Sequence, residues 1–207
     1  MGVLFIRKLS SHSVLGVWKI EESEQQITHV YPHLSAVVEP YRNATRRVEK
    51  LSVYALLYAM QPDPAILITH NQDGKPQLEG YSISVSDTRG FVAVVLSERG
   101  RVGVDIEYYS TRVNKIAHRF IRSDEQSSTT EHQLLNWSAK ETVYKYFSEQ
   151  KLGYGDMRLK PFTPSEEGKL LVENMKTGQT TSVCCCLNRD FALTYCCEDA
   201  IQAGCRD

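Results

Sequence analysis

Apolar positions recur along the chain at two periods, and the places where one period gives way to the other mark out its elements. In NATRRVEKLSVYALLYAMQ, residues 43 to 61, Val48, Leu51, Ala55 and Tyr58 fall three or four residues apart, the spacing of one face of a helix. Thr45 offers an N-cap there, and polar residues crowd the first turns. In TTEHQLLNWSAKETVYKYFSEQ, residues 129 to 150, Leu134, Trp137, Tyr144 and Phe147 form the apolar seam of a second long helix. Short β-branched and aromatic runs surround both: VLFIRK, HSVLGVWKI, AILITH, YSISVS, GFVAVVLSE, VGVDIEYY, KLLVENM, TSVCCCLN and FALTYCC. Turn residues separate them where hairpins need them, notably in QDGKP from Gln72 to Pro76 and SERGR from Ser97 to Arg101. The order is strands, long helix, strands, then strand, long helix, strands again. It predicts an α+β fold of two pseudo-twofold related halves, residues 1–99 and 100–207, each a long helix packed on a mainly antiparallel sheet. With no clear linker between them, the halves are expected to form one compact body with its site in between.

Composition narrows the function classes. The chain has 207 residues, enough for one domain with a substantial core or two small halves packed together. Its longest apolar runs, such as Phe91 to Leu96, are far too short to cross a bilayer, so a soluble cytoplasmic protein without a membrane partner is expected. The opening MGVLFIRKLSSH has no continued hydrophobic region or small-residue cleavage site, and Ile6 stands where N-myristoylation needs Ser or Thr. A net charge of -1 argues against a bulk electrostatic partner such as duplex DNA. The basic run RNATRRVEK has no aromatic platform beside it, so no nucleic acid is expected to bind there either. The six cysteines, Cys184, Cys185, Cys186, Cys196, Cys197 and Cys205, lack the separations of a zinc site. They read as strand core in a reducing compartment.

The chemistry starts in RVGVDIEYYS, residues 101 to 110, where Asp105 and Glu107 lie two apart in a strand and so project from the same side. Like charges that close raise each other's pKa unless something positive sits between them, and a divalent cation is the usual remedy. The solvated polar face of a sheet would show the same alternation. In the second helix, Glu141 and Lys145 lie four apart on one face, with Trp137 one turn earlier on the same side. A solvated ion pair of this kind is worth only about 0.3–0.5 kcal/mol and is common.

Together the two blocks resemble the signature of the 4'-phosphopantetheinyl transferase superfamily, in particular its longer two-lobed, surfactin-synthetase-activating type. That signature runs Gly-x-Asp-x-Glu, then Trp-Ser-x-Lys-Glu, then Lys four residues on; Gly103, Asp105, Glu107, Trp137, Ser138, Lys140, Glu141 and Lys145 match it. IAHRFIRSDE, from Ile116 to Glu125, is similar to the family's Ala-x-Arg-Phe segment followed by an acid, and DGKP, from Asp73 to Pro76, to its Gly-Lys-Pro turn. The resemblance implies that Asp105, Glu107 and Glu141 gather magnesium, which also binds the pyrophosphate of coenzyme A. It implies that a carrier-protein serine attacks the β-phosphorus, taking the phosphopantetheine arm and releasing adenosine 3',5'-bisphosphate. Lys140 and Lys145 are then expected at the phosphates and Glu141 as acceptor of the serine proton, directly or through water. The partners it implies are coenzyme A and an apo acyl or peptidyl carrier protein, chosen by contacts around HRFIRSDEQSSTTE, and it implies a monomer.

The match departs on the nucleotide side. Val85, in SISVS, stands where the family's Asn-Ile-Ser-His-Ser has its phosphate-binding histidine, and Tyr54 stands where an arginine is usual. An apolar branched side chain cannot donate a hydrogen bond or carry charge. Ser84 and Ser86 are left to give hydroxyl contacts, Lys75 and Pro76 to border coenzyme A, and Arg46, Arg47 or Lys75 to hold the 3'-phosphate. A non-catalytic relative that keeps the fold and serves as a carrier-protein-binding or regulatory module is the alternative.

Overall fold

The computed structural model describes residues 2–61, 63 and 65–199. Cys205 lies outside them. The chain begins with a hairpin, β1 (Val3–Lys8) and β2 (Ser13–Lys19), followed by two short helices, α1 (Glu24–Val30) and α2 (Leu34–Val38), and the long helix α3 (Ala44–Met60). A two-stranded ribbon, β3 (Thr69–His70) and β4 (Pro76–Gln77), leads into β5 (Ser82–Thr88) and β6 (Phe91–Ser97). Then come β7 (Val102–Tyr108), the second long helix α4 (Thr130–Tyr146), and β8 (Met157–Leu159), β9 (Glu167–Asn174), β10 (Thr180–Leu187) and β11 (Phe191–Cys197).

The strands form two larger antiparallel sheets, in the orders β1-β2-β6-β5 and β7-β11-β10-β9-β8. Apolar alternation decides how they stack. Val102, Val104 and Ile106 of β7 and Phe191 and Leu193 of β11 pack against Leu15, Val17, Ala93 and Val95 of the first sheet. Leu51, Leu56 and Leu57 of α3 cover that sheet's other face, and Leu135, Ala139 and Val143 of α4 cover the second sheet. The layers therefore run helix, sheet, sheet, helix. This is the expected α+β architecture.

At the meeting of the two sheets, β5 and β7 are bridged by side chains. The Val104 N–H donates to Ser84 Oγ at 3.0 Å, Ser86 Oγ donates to Asp105 Oδ1 at 3.0 Å, and the Tyr108 N–H donates to Thr88 Oγ1 at 3.2 Å. Three hydroxyls spaced by two along SISVSDT thus take one face of β5.

Several local expectations are revised. Asn43, not Thr45, caps α3, its Oδ1 accepting the Arg46 N–H at 3.1 Å. AILITH is strand only at Thr69 and His70. The Ile68 N–H instead donates to the Tyr54 hydroxyl at 3.2 Å, and the Tyr58 hydroxyl donates to Ile66 O at 3.3 Å, so α3 supplies the partners that a neighbouring strand would. In α4, Tyr144 is 43 % exposed and lies outside the apolar seam. Among the described residues Cys185 and Cys186 in β10 and Cys196 in β11 form no disulfide, and burial pushes the Cys185 thiol up to about 11.

Candidate active site

The site is built where α4 crosses β7. That crossing is close because residue 103 is glycine: a Cβ there would stand 2.4 Å from the backbone oxygen of Thr142. Gly103, Asp105 and Glu107 share the face of β7 turned to α4, while Val102, Val104 and Ile106 face the inter-sheet core. Ser138 and Thr142 fasten the helix to β11 through Thr194, with Oγ to Oγ1 at 2.9 Å and Oγ1 to O at 3.1 Å.

Each of the three acids has one oxygen held by a protein donor. Asp105 is buried, and its Oδ1 accepts from Lys145 Nζ at 2.8 Å and from Ser86. Glu107 Oε1 accepts from Trp137 Nε1 at 2.9 Å, and Glu141 Oε1 accepts from the Tyr154 hydroxyl at 2.5 Å. The second oxygen of Asp105, Oδ2, is buried without a hydrogen-bond partner among the described residues. A buried carboxylate oxygen left bare costs about 1–3 kcal/mol or more, so the position suits a cation. Burial, and then the Asp105 charge, push the Glu107 carboxyl up to about 7. Burial likewise raises Glu141, with the Asp105 charge acting in the same direction. Among the described residues no group of three acidic, histidine or cysteine side chains stands ready to enclose a metal ion by itself. The donor set is nevertheless all hard oxygen, the kind magnesium accepts from one or two carboxylates together with substrate phosphates.

Beside the acids opens a cleft of about 520 Å³, lined by Lys75, Pro76, Ser84 and Val85 from β4, β5 and the turn before them and by Tyr144, Lys145 and Lys151 from α4 and the stretch after it. A second cavity of about 370 Å³ shares Gly74, Pro76 and Val85 with it and reaches Tyr41, Lys50, Tyr54 and His70. Val85 therefore sits on the boundary of both. Partial burial and the Lys50 charge hold the His70 imidazole below its ordinary value, which keeps it neutral near pH 7.

Not every residue expected here reaches the cleft. Lys140 is fully buried, its ammonium donating to Phe120 O at 2.7 Å and Glu125 Oε2 at 2.6 Å. Glu125 also accepts the N–H groups of Arg122, at 2.7 Å, and Leu159, at 2.6 Å. Lys140 thus ties α4 to the 120–125 segment and β8. Arg47 is bound to Glu24 and to the carbonyls of Val38 and Tyr41, on the helical side of the first half. Arg46 is paired with Glu49 at 2.9 Å and with Asp87 at 2.6 Å. Lys145, Lys75, Pro76 and Ser84 do meet at the cleft; Asp105 lies buried behind its wall, bonded to Lys145, with Glu107 and Glu141 alongside. Lys50, His70, Lys151 and Tyr154 join the site from positions that no motif marked.

The family model described as 4'-phosphopantetheinyl transferase superfamily matches residues 101–196, from the start of β7 nearly to the end of β11. No curated protein matches the chain.

Proposed function

Since residues 101–196 match the 4'-phosphopantetheinyl transferase superfamily, we propose that this chain transfers the 4'-phosphopantetheine group of coenzyme A to a serine of an acyl or peptidyl carrier protein. The observation that carries the proposal is the trio Asp105, Glu107 and Glu141, each with one oxygen anchored by a protein donor and Asp105 Oδ2 buried without a partner among the described residues, beside a cleft lined by three lysines. Asp105, Glu107 and Glu141 would hold magnesium, which when bound offsets the diphosphate charge and binds phosphate oxygens.

The chain's own groups do the rest. Lys145, beside Asp105 at the cleft wall, and Lys75 across from it supply positive charge for the diphosphate and the leaving group. Glu141, its pKa raised by burial, accepts the proton of the attacking serine hydroxyl. The second cavity suits the nucleotide end, with Lys50 and His70 beside the 3'-phosphate in place of the missing histidine. Lys140 acts at a distance, by holding α4 in place. None of the described helices is long and apolar enough to cross a membrane.

The test is mass spectrometry of an apo carrier protein incubated with this protein, coenzyme A and magnesium. A gain of one phosphopantetheine is expected, and Asp105→Ala should lose on the order of 10²–10³-fold in rate, the scale of one preorganised electrostatic contact. No gain across acyl and peptidyl carriers, with the protein folded, would favour the binding module without catalysis.

A further inference from the structure

An aromatic layer lies beneath the acids. The Trp137 and Tyr154 rings are 5.4 Å apart at 34°, and Phe120 stands edge-on to Trp137 at 4.8 Å and to Tyr154 at 6.3 Å. The buried Lys140 fixes this layer through the Phe120 carbonyl. Two polar edges emerge from it: the Trp137 indole N–H meets Glu107, and the Tyr154 hydroxyl meets Glu141. Tyr154 belongs to a short turn, Tyr154–Asp156, that is itself pinned. The Gly153 N–H donates to Asp156 Oδ2 at 2.8 Å, Lys176 pairs with Asp156 at 2.8 Å, and Arg122 donates to Gly155 O at 2.6 Å.

We infer that Tyr154 is the positioning residue of Glu141: its hydroxyl holds one carboxylate oxygen so that the other is presented beside Asp105 and Glu107. The geometry makes it the counterpart of Trp137, which does the same for Glu107 from within the signature. Asp105 has its own pair of donors in Lys145 and Ser86. All three carboxylates are then aimed from outside by donors on packed, pinned elements, the arrangement by which partners of metal ligands fix orientation. A phenylalanine would keep the stacking and lose only the aim. The inference rests on the metal-dependent reading above.

The test is Mn²⁺ titration, followed by the electron paramagnetic resonance of the free ion, on wild type and Tyr154→Phe in the presence of coenzyme A. Tyr154→Phe should bind Mn²⁺ about 10–100-fold more weakly, the usual loss when such a partner is removed. Its melting temperature and metal-free coenzyme A affinity should stay at the wild-type values. Excess Mg²⁺ should restore its transfer rate, which a loss of packing alone would not allow. Equal Mn²⁺ affinity in the two proteins would overturn the inference and leave the transferase reading standing, and tighter binding by the variant would overturn it too, marking the hydroxyl as a competitor of the metal. If wild type itself bound coenzyme A but no Mn²⁺, the metal reading would fail and this inference with it.

Discussion

Helices α3 and α4 are each 17 residues long and each covers the outer face of a sheet, yet they bury different things. The buried stretch of α3 is Leu51 to Tyr58, apolar or aromatic apart from Ser52, and the arginines of its first half are neutralised by Glu24, Glu49 and Asp87. The buried set of α4 includes Asn136, Ser138, Lys140 and Thr142, and its Trp137, Glu141 and Lys145 converge on the acids or the cleft. One helix is a packing element; the other spends its interior on polar contacts that hold a site. The lesson is that the less cleanly amphipathic helix carries the candidate site, because a buried polar network fixes direction in a way that apolar packing does not.

The largest effect that would sharpen this contrast comes from a lysine on each helix. Lys140→Met leaves the Glu125 carboxylate buried without its cation and should cost about 3–5 kcal/mol in urea unfolding. Lys50→Met on α3 should stay within about 0.5 kcal/mol. Similar costs for the two would remove the contrast. The next effect is at the glycines beneath the helices. Gly103→Ala drives a Cβ into the backbone oxygen of Thr142 at 2.4 Å, while Gly16→Ala meets the flexible Met60 side chain at 2.6 Å. The first should cost about 1–3 kcal/mol and the second less, since a side-chain end can move aside. A larger loss at Gly16 would show that α3 is the more rigidly seated helix.

A pH dependence should follow on the α4 side. Glu107 rises from 4.5 to about 7 on folding, so the folded chain holds the extra proton between those values. Its contribution favours folding at low pH and is lost as pH rises through 7. In the absence of divalent cations the melting temperature should fall between about pH 5 and 7.5, and Glu107→Gln should flatten that slope. An unchanged slope in the variant would mean the carboxylate is less buried than described. The smallest effect belongs to α3. Asp87→Asn frees Arg46 from its shorter contact and should tighten coenzyme A binding about 2–5-fold, the 0.2–1 kcal/mol an exposed pair is worth. Unchanged or weaker binding would make Arg46 a structural residue.

Much of the site can be read from spacing alone. Two residues apart in a strand put Asp105 and Glu107 on one face, and four apart in a helix put Glu141 and Lys145 on another. The same rule should have separated Lys140 from Glu141, since adjacent helical residues do not face the same way. Lys140 points instead at Glu125, in a segment whose path between Tyr108 and Thr130 has no regular period. Tyr154, Lys50 and His70 reach the site through loop placement and the packing of one half on the other, which no local pattern encodes. The strand expected at AILITH failed for a related reason: Tyr54 and Tyr58, on a distant helix, capture its backbone.

The hydroxyl seam between β5 and β7 has a mechanical consequence. Within each sheet neighbouring strands are tied by backbone ladders, but between β5 and β7 the hydrogen bonds are three contacts to side chains, each worth about 0.5–1.5 kcal/mol. Because Ser86 bonds the same Asp105 oxygen as Lys145, any hinge-like slip of one plate against the other is transmitted straight to the central acid of the trio. The seam is thus a place where occupancy of the cleft and the shear between the two halves act on a single atom.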